Sequence, residues 1–387
     1  MLKPLTQEFG WSTDQVSSVL AFRYALFGML GILAMVFIGR FGLRTVMATA
    51  CMLIAVSMAT APLVTKLWQL FVLWGVMLGL GTGLTALVLG AIVAARWFTA
   101  RRGLVVGLLA ASSATGQLIF LPLAAWLIEH GGWRSAVLPL VGACAIVVTL
   151  VLLLIRNDPA DLGLRPYGEP DSATPRPTVT PPTLGAPFRA LVQASRNRTF
   201  LILVATFFIC GLTTNGLIQA HFISLCGDRG LEALPAASVL SMMGAFDLAG
   251  TTLSGYLSDR FDNRKLLFVY YGLRGVALLG LPQATFTLYG LSMFAMVYGL
   301  DWIATLPPTV RLTSLEFGKE RAAMIFGWVF AAHQAGAATA AYGAGLTRSV
   351  MLTYDPAVLA AGATCLTAAV AALSIRRLAP SDAAVPT

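Results

Sequence analysis

The sequence predicts an all-α integral membrane protein: about eleven spanning helices, five before and six after a polar linker. Three observations predict it. Of 387 residues only 11% are charged and 57% are hydrophobic, whereas a soluble domain carries about a quarter charged. Uncharged runs reach spanning length, roughly 20 residues, at Thr45–Thr65, Leu67–Ala95, Leu104–Ile128, Ser135–Ile155 and Thr199–Ala220. The basic residues also fall mostly into alternate loops, as they do on the cytoplasmic side of a membrane protein.

The spans read, in order, as 15–38, 45–65, 68–94, 104–128 and 135–155, then 200–223, 235–257, 266–283, 286–309, 322–346 and 356–375. If the first runs from outside to inside, the inner loops collect Arg40, Arg44, Arg96, Arg101, Arg102, the arginines of the central stretch, and Arg260, Arg264, Lys265, Arg311, Lys319 and Arg321. The outer segments hold only Lys3, Lys66, Arg134, Arg229 and Arg348. This orientation places the C-terminus in the cytoplasm and the N-terminus outside. "MLKPLTQEFGWS" has no apolar core of a signal peptide, so the odd helix count leads us to expect one more helix before Met1. The protein is read as multi-pass in the inner (plasma) membrane, with monomer as the default state.

Residues 156–198 break the apolar pattern. Eight prolines between Pro159 and Pro187 make this stretch an extended cytoplasmic linker, with "FRALVQASR" as a short surface helix. It divides the chain into a five-helix bundle (1–155) and a six-helix bundle (199–377), followed by a tail (378–387). The net charge of +9 reflects the inner loops, not a nucleic-acid surface. Five cysteines lie in or at the ends of apolar segments without a CxxC pair and read as packing residues. The three histidines are too scattered for a metal site, and no cofactor or enzyme motif occurs. The reading is a transporter without metal or cofactor.

A short motif appears twice. "GRFGLR" (Gly39–Arg44) follows the first of these spans, the second helix of its half once the expected helix before Met1 is counted, and "DRFDNR" (Asp259–Arg264) follows the seventh, the second helix of the other half. With six helices in each half, the two loops occupy equivalent places. Parallel six-helix halves joined by a cytoplasmic linker are the architecture of the major facilitator superfamily. "GYLSDRFDNRK" (Gly255–Lys265) resembles that superfamily's loop between the second and third helices of a half. The resemblance implies an inner gate of ion pairs at Asp259, Arg260 and Arg264. The first-half copy, with Arg40 and Arg44, has Gly39 where the Asp belongs, which implies a weaker gate there. "EFGWS", "ARWFTARRGLVVG", "HGGWRSA", "DPADLGLRPYGE", "GLDWIATLPPT" and "FGWVFAAHQAGAA" further resemble bacterial monocarboxylate transporters and oxalate–formate antiporters. In that branch "EFGWS" follows the first helix, which again places a helix before Met1.

Charges within spans are costly and therefore candidate functional groups. They are Arg23, Asp247, Arg274, Asp301 and His333. Asp247 lies about 18 Å and Arg274 about 14 Å from the inner edge, at the helical rise per residue. They are set to pair, either as a static salt bridge or as a proton site beside an anion site. The resemblance assigns Asp247 to proton coupling. Proton-linked monocarboxylate carriers place an Arg four residues later, where this chain has Thr251, so Arg274 and Arg23 are the candidate substrate cations. His333 and Gln334 are candidate binding residues. Asp301, nearer the inner end and before Pro307–Pro308, is assigned to a gate or cap.

These residues point to a secondary transporter of small organic anions, monocarboxylate-like, working by alternating access. A proton or counter-anion would be its second partner, and the lipid bilayer its setting. An exporter of neutral or amphipathic compounds with the same fold is one alternative. A transport-inactive remnant or membrane sensor is another.

Overall fold

A computed structural model describes residues 2–85, 93, 96–169 and 183–377, with side chains at 102–104, 106–115 and 319–320 outside that description. The second part of the 68–94 span and the 378–387 tail lie outside the described residues. The described chain is helical, with one isolated strand-type bridge between Phe98 and Tyr167. Among the described residues, eight segments are long and apolar enough to cross a membrane, counting Gly116–Leu154 as one.

A short helix that the sequence did not suggest opens the chain: α1, Leu2–Phe9. Eight residues are too few to stand alone. Leu2 and Leu5 are buried, and Glu8 accepts from Arg134 (2.6 Å) and from Trp133 Nε1 (2.5 Å). α2 spans Thr13–Phe41 and stops at Gly42, φ 83°. α3 is Leu43–Thr60. α4, Leu67–Leu84, contains a π-helical stretch, Phe71–Met77. The helical run Arg102–Leu154 folds back at Gly132 (φ 76°, ψ 171°), a conformation open to glycine. It therefore forms two helices, α5 (102–131) and α6 (133–154), with the turn at "HGGW".

After the linker, α7 is Ala186–Ala194. α8 is Arg198–Asp228, with a π-helical stretch at Leu212–Gln219. α9 (Ala233–Arg260) and α10 (Asn263–Gly280) flank the second motif loop. α11 (Ser292–Asp301) and α12 (Leu306–Phe317) are two pieces of the expected 286–309 span. α13 is Lys319–Met351 and α14 Asp355–Leu373.

The largest buried apolar cluster is made entirely from residues between Ala194 and Ile375, and a second from residues between Leu2 and Val141. α2 and α13 join them along most of their length. At one end Ser349 Oγ donates to Asp14 (2.7 Å). Midway, Tyr24 packs with Ala337 and Ala341 and donates to the Asn215 carbonyl (3.2 Å). At the other end Gly31, Ile32, Met35 and Val36 face Ala323, Met324 and Gly327. A second seam brings α5 against α9, where Gln117 Nε2 donates to the Leu240 carbonyl (3.0 Å).

The repeated motif has a shared physical task. Arg44 donates to the Leu152 carbonyl at the end of α6. Arg264 donates to the Ile375 carbonyl just past α14 (2.9 Å). Each arginine thus satisfies a backbone acceptor that the helix end leaves unpaired. The described start of the linker, residues 156–169, is tied to the loops beside it. Asn157 accepts from Arg44 N–H (3.0 Å) and from Arg96 through its carbonyl (3.1 Å), and Tyr167 N–H donates to the Trp97 carbonyl (2.8 Å).

Candidate functional site

The site is built around an interrupted helix. Pro307 and Pro308 have no N–H, so a continuous helix would leave the carbonyls of Ile303 and Ala304 unpaired, four residues earlier. The helix breaks instead at residues 302–305, between α11 and α12. In a membrane each freed backbone group needs a partner, and neighbouring helices supply them. Arg274 Nη2, on α10, donates to the carbonyls of Asp301 (2.5 Å) and Trp302 (3.2 Å). The Ile303 carbonyl takes Leu306 N–H (2.8 Å). Ser254 Oγ, on α9, donates to the Ala304 carbonyl (2.5 Å). Ile303 N–H donates to Asp247 Oδ1 (3.0 Å), and Thr251 Oγ1 donates to the same oxygen (2.8 Å). Cys210, on α8, touches the Thr305 hydroxyl (3.3 Å).

This arrangement corrects the expected use of Arg274. Its side chain is fully enclosed and every nitrogen is engaged. Nε meets Asp301 Oδ2 at 2.6 Å, and Nη1 meets Cys210 Sγ at 3.0 Å and Thr213 Oγ1 at 3.5 Å. No donor is left for a substrate carboxylate. Its ion-pair partner is Asp301, not Asp247 as depth alone suggested. The structure accordingly places Asp301 in the interior with Arg274, away from the loop residues read as a gate. Asp301 Oδ1 is buried without a hydrogen-bond partner. Asp247 is 8% exposed and serves as the cap for the first free N–H of the break.

Of the remaining candidates, Gln334 lies at the α2–α13 seam beside Gly28, whereas Arg23 lies against Gly79 of α4. His333 is buried between Phe207 (4.9 Å) and Phe330 (5.7 Å). Its Nδ1 and the Oε1 of Gln334 have no hydrogen-bond partner. Arg23 is half-buried on α2, its guanidinium 4.9 Å from the Tyr24 ring centre, with no carboxylate partner among the described residues. His221 has both nitrogens engaged, by the Ala341 carbonyl (2.8 Å) and Tyr354 OH (3.3 Å), which makes it a packing residue.

The motif loops hold the basic end. Asp259 pairs with Arg311 of α12, a partner that sequence reasoning missed because Arg311 reads as one more inner-loop cation. Arg264 Nη2 pairs with Asp262 (2.8 Å), holding that carboxyl below the usual carboxylate range. Arg260 lies over the Tyr256 ring (4.1 Å) and Arg40 over Phe41 (5.6 Å). Among the described residues, these contacts tie each loop to its own half and do not bridge the two.

The break and α12 are thus each held to α9: the break by the Ile303 N–H at Asp247, and α12 by Arg311 at Asp259.

Comparison with known proteins bears on what this arrangement serves. The model of the Major Facilitator Superfamily matches residues 1–341. Monocarboxylate transporter 13 of Bos taurus is 28% identical over 329 residues, covering 84% of this chain and 72% of the relative. The MFS-type transporter YcxA of Bacillus subtilis is 24% identical over 319 residues, covering 80% and 73%. Among solved structures, the nucleoside transporter NupG superimposes with a TM-score of 0.74 at 12% identity, covering 97% of this chain and 94% of that one. A D-xylose–proton symporter gives 0.70 at 17% identity, covering 99% and 93%. At these identities the structural matches speak for the fold alone.

Proposed function

The chain belongs to the Major Facilitator Superfamily and is a multi-pass membrane transporter, not an enzyme; on that premise we propose that it carries small organic anions of the monocarboxylate class, coupled to a proton or to a counter-anion. The observation that carries this reading is Asp247, a nearly enclosed carboxylate bound to the free N–H of a broken membrane helix. Broken helices near mid-membrane are where secondary transporters place their ion and substrate sites. A relative named monocarboxylate transporter supports the substrate class. Loading a proton on Asp247 removes the charge that Ile303 N–H faces and weakens that cap. α12 is then free to shift against α9, and its Arg311 moves with it.

In this reading the two halves, 1–155 and 199–377, rock about the α2–α13 and α5–α9 seams, joined by the linker 156–198. The motif loops, with Asp259, Arg260, Arg264, Arg40 and Arg44, lie on the cytoplasmic side of the inner membrane, as does the C-terminus. The transporter works as a monomer. Arg23 is the cation for the substrate carboxylate, with His333 and Gln334 beside the path.

The test is proton movement in proteoliposomes challenged with lactate, pyruvate, formate, oxalate and aromatic acids. External alkalinisation triggered by one acid, and lost in Asp247→Asn, is the expected result. Exchange of labelled anion without proton flux moves the coupling to antiport. No response to any acid overturns the substrate class. A second reading, transport of neutral or amphipathic compounds, gains from the full engagement of Arg274, which leaves the site short of cations. Uptake of a neutral solute that carboxylates do not compete decides for it.

A further inference from the structure

The linker helix α7 has two apolar faces, and only one is used. Pro187, Ala190, Leu191 and Ala194 turn toward the protein, with Pro187 and Ala194 buried and Ala190 and Leu191 packed on the main core. Phe188 and Val192, four apart and so on one stripe of the helix, are 52% and 64% exposed, and Leu184, two residues before the helix, is 51% exposed. In water this stripe would be an unexplained cost. Its height in the molecule suggests a different medium. Trp328 Nε1 donates to the Pro187 carbonyl (2.8 Å), and the Trp328 ring meets Phe188 edge-on at 5.6 Å. Trp328 lies nine residues into α13, about 14 Å from Lys319 along the axis. α7 also ends only four residues before α8 enters the membrane at Arg198. The helix therefore lies level with the first turns of spanning helices, at the depth where Trp side chains mark the membrane interface.

Charge complements the stripe. Arg189, Arg196 and Arg198 are exposed beside it, and Arg189 donates to the Thr183 hydroxyl (3.1 Å). A short helix with an apolar face and flanking arginines matches the headgroup–acyl boundary of an anionic leaflet. We infer that α7 is an interfacial helix that binds anionic phospholipid, its Leu184–Phe188–Val192 stripe in the acyl boundary and its arginines on the headgroups. Pro187 also lines the crevice between Gly31–Val36 of α2 and Ala323–Gly327 of α13. Lipid held at α7 therefore sits on the seam that joins the two halves, and stabilises whichever arrangement keeps that crevice narrow. The inference needs only the membrane setting, so its failure would leave the transport reading standing, and the reverse.

The full-length protein carrying a single spin label at Leu184→Cys, Phe188→Cys, Val192→Cys or Gln193→Cys tests it. Each is placed in bilayers of phosphatidylcholine alone and of phosphatidylcholine mixed with phosphatidylglycerol, with the parent chain giving the background from its native cysteines. Labels at 184, 188 and 192 should be relaxed by oxygen, which partitions into lipid. The label at 193 should be relaxed by a water-soluble nickel chelate. Phosphatidylglycerol should tighten the contact, and Arg189→Gln or Arg196→Gln should each reduce that preference about five-fold. Nickel access at 188 and 192 in both bilayers would overturn the inference. So would shielding of these positions from both reagents, which would indicate a protein partner. Equal behaviour in both bilayers would overturn the commitment to anionic lipid.

Discussion

Arg274 shows what a buried charge in this molecule is for. Its guanidinium replaces the hydrogen bonds that the helix break removes, and Asp301 balances its charge. Removing one partner of such a pair leaves the other buried and unpaired, at a cost of about 3–5 kcal/mol. Arg274→Met should therefore lower the thermal midpoint of the detergent-solubilised protein sharply. Arg274→Met combined with Asp301→Leu should recover part of the loss but not all, because the Trp302 carbonyl stays unpaired. An undiminished midpoint in the single variant would refute this role. Glu8 offers a pH prediction outside the membrane. Its carboxyl is held below the usual carboxylate range, first by the Arg134 hydrogen bond and then by that of Trp133. A depressed folded value means the contact is present at neutral pH and is lost only as pH falls below the ordinary carboxylate range. Amide exchange in residues 2–9 should stay slow to mildly acidic pH and rise below it, and should be fast throughout in Glu8→Gln. The sequence identified all the charges within spans, because any charge there stands out. It did not identify their partners. Asp301 is 27 residues from Arg274, and which side chains meet depends on the rotation of three helices, which depth does not specify.

At the scale of elements, the all-helical membrane class was legible and the break was not. Uncharged runs locate helices because the bilayer enforces them. Pro307–Pro308 reads equally well as a mild bend, and only the partners on α9 and α10 make a full interruption affordable. The eight-residue α1 escaped notice because its stability is tertiary. Close approach between elements can also be tested. A Cβ on Gly250 would collide with the Leu300 carbonyl, whereas a Cβ on Gly255, on the same helix, meets nothing within 4 Å. Gly250→Ala should cost about 1–3 kcal/mol, as overpacking does, while Gly255→Ala should be neutral. Equal thermal midpoints for the two variants would contradict the packing of α9 on α11.

At the scale of the whole molecule, the duplicated motif carries the same fastening in both halves but not the same charge. Arg44 and Arg264 each close the last helix of their own half. Arg44→Ala should raise amide exchange at the end of α6 alone, and Arg264→Ala at the end of α14 alone, each by the equivalent of about 1 kcal/mol. Exchange spreading through both halves would show that the loops act as a shared brace. The Asp259–Arg311 contact has no counterpart in the first half among the described residues. Exchanging the two residues, Asp259→Arg with Arg311→Asp, should restore the transport rate that either single change reduces. The repeat was legible as a match of letters. Its mechanical meaning required the positions of Leu152 and Ile375, which no motif contains.

The α5–α6 hairpin has a further consequence. Only 17% of its most apolar window is buried against other helices, compared with 56% for α8. Most side chains of that window meet a fluid that looks the same in every direction. Selection on such a surface acts on bulk character and not on individual neighbours. A deep mutational library should therefore show two regimes in one chain: along α8 tolerance should depend on the site, and along that window only on whether the newcomer dissolves in oil.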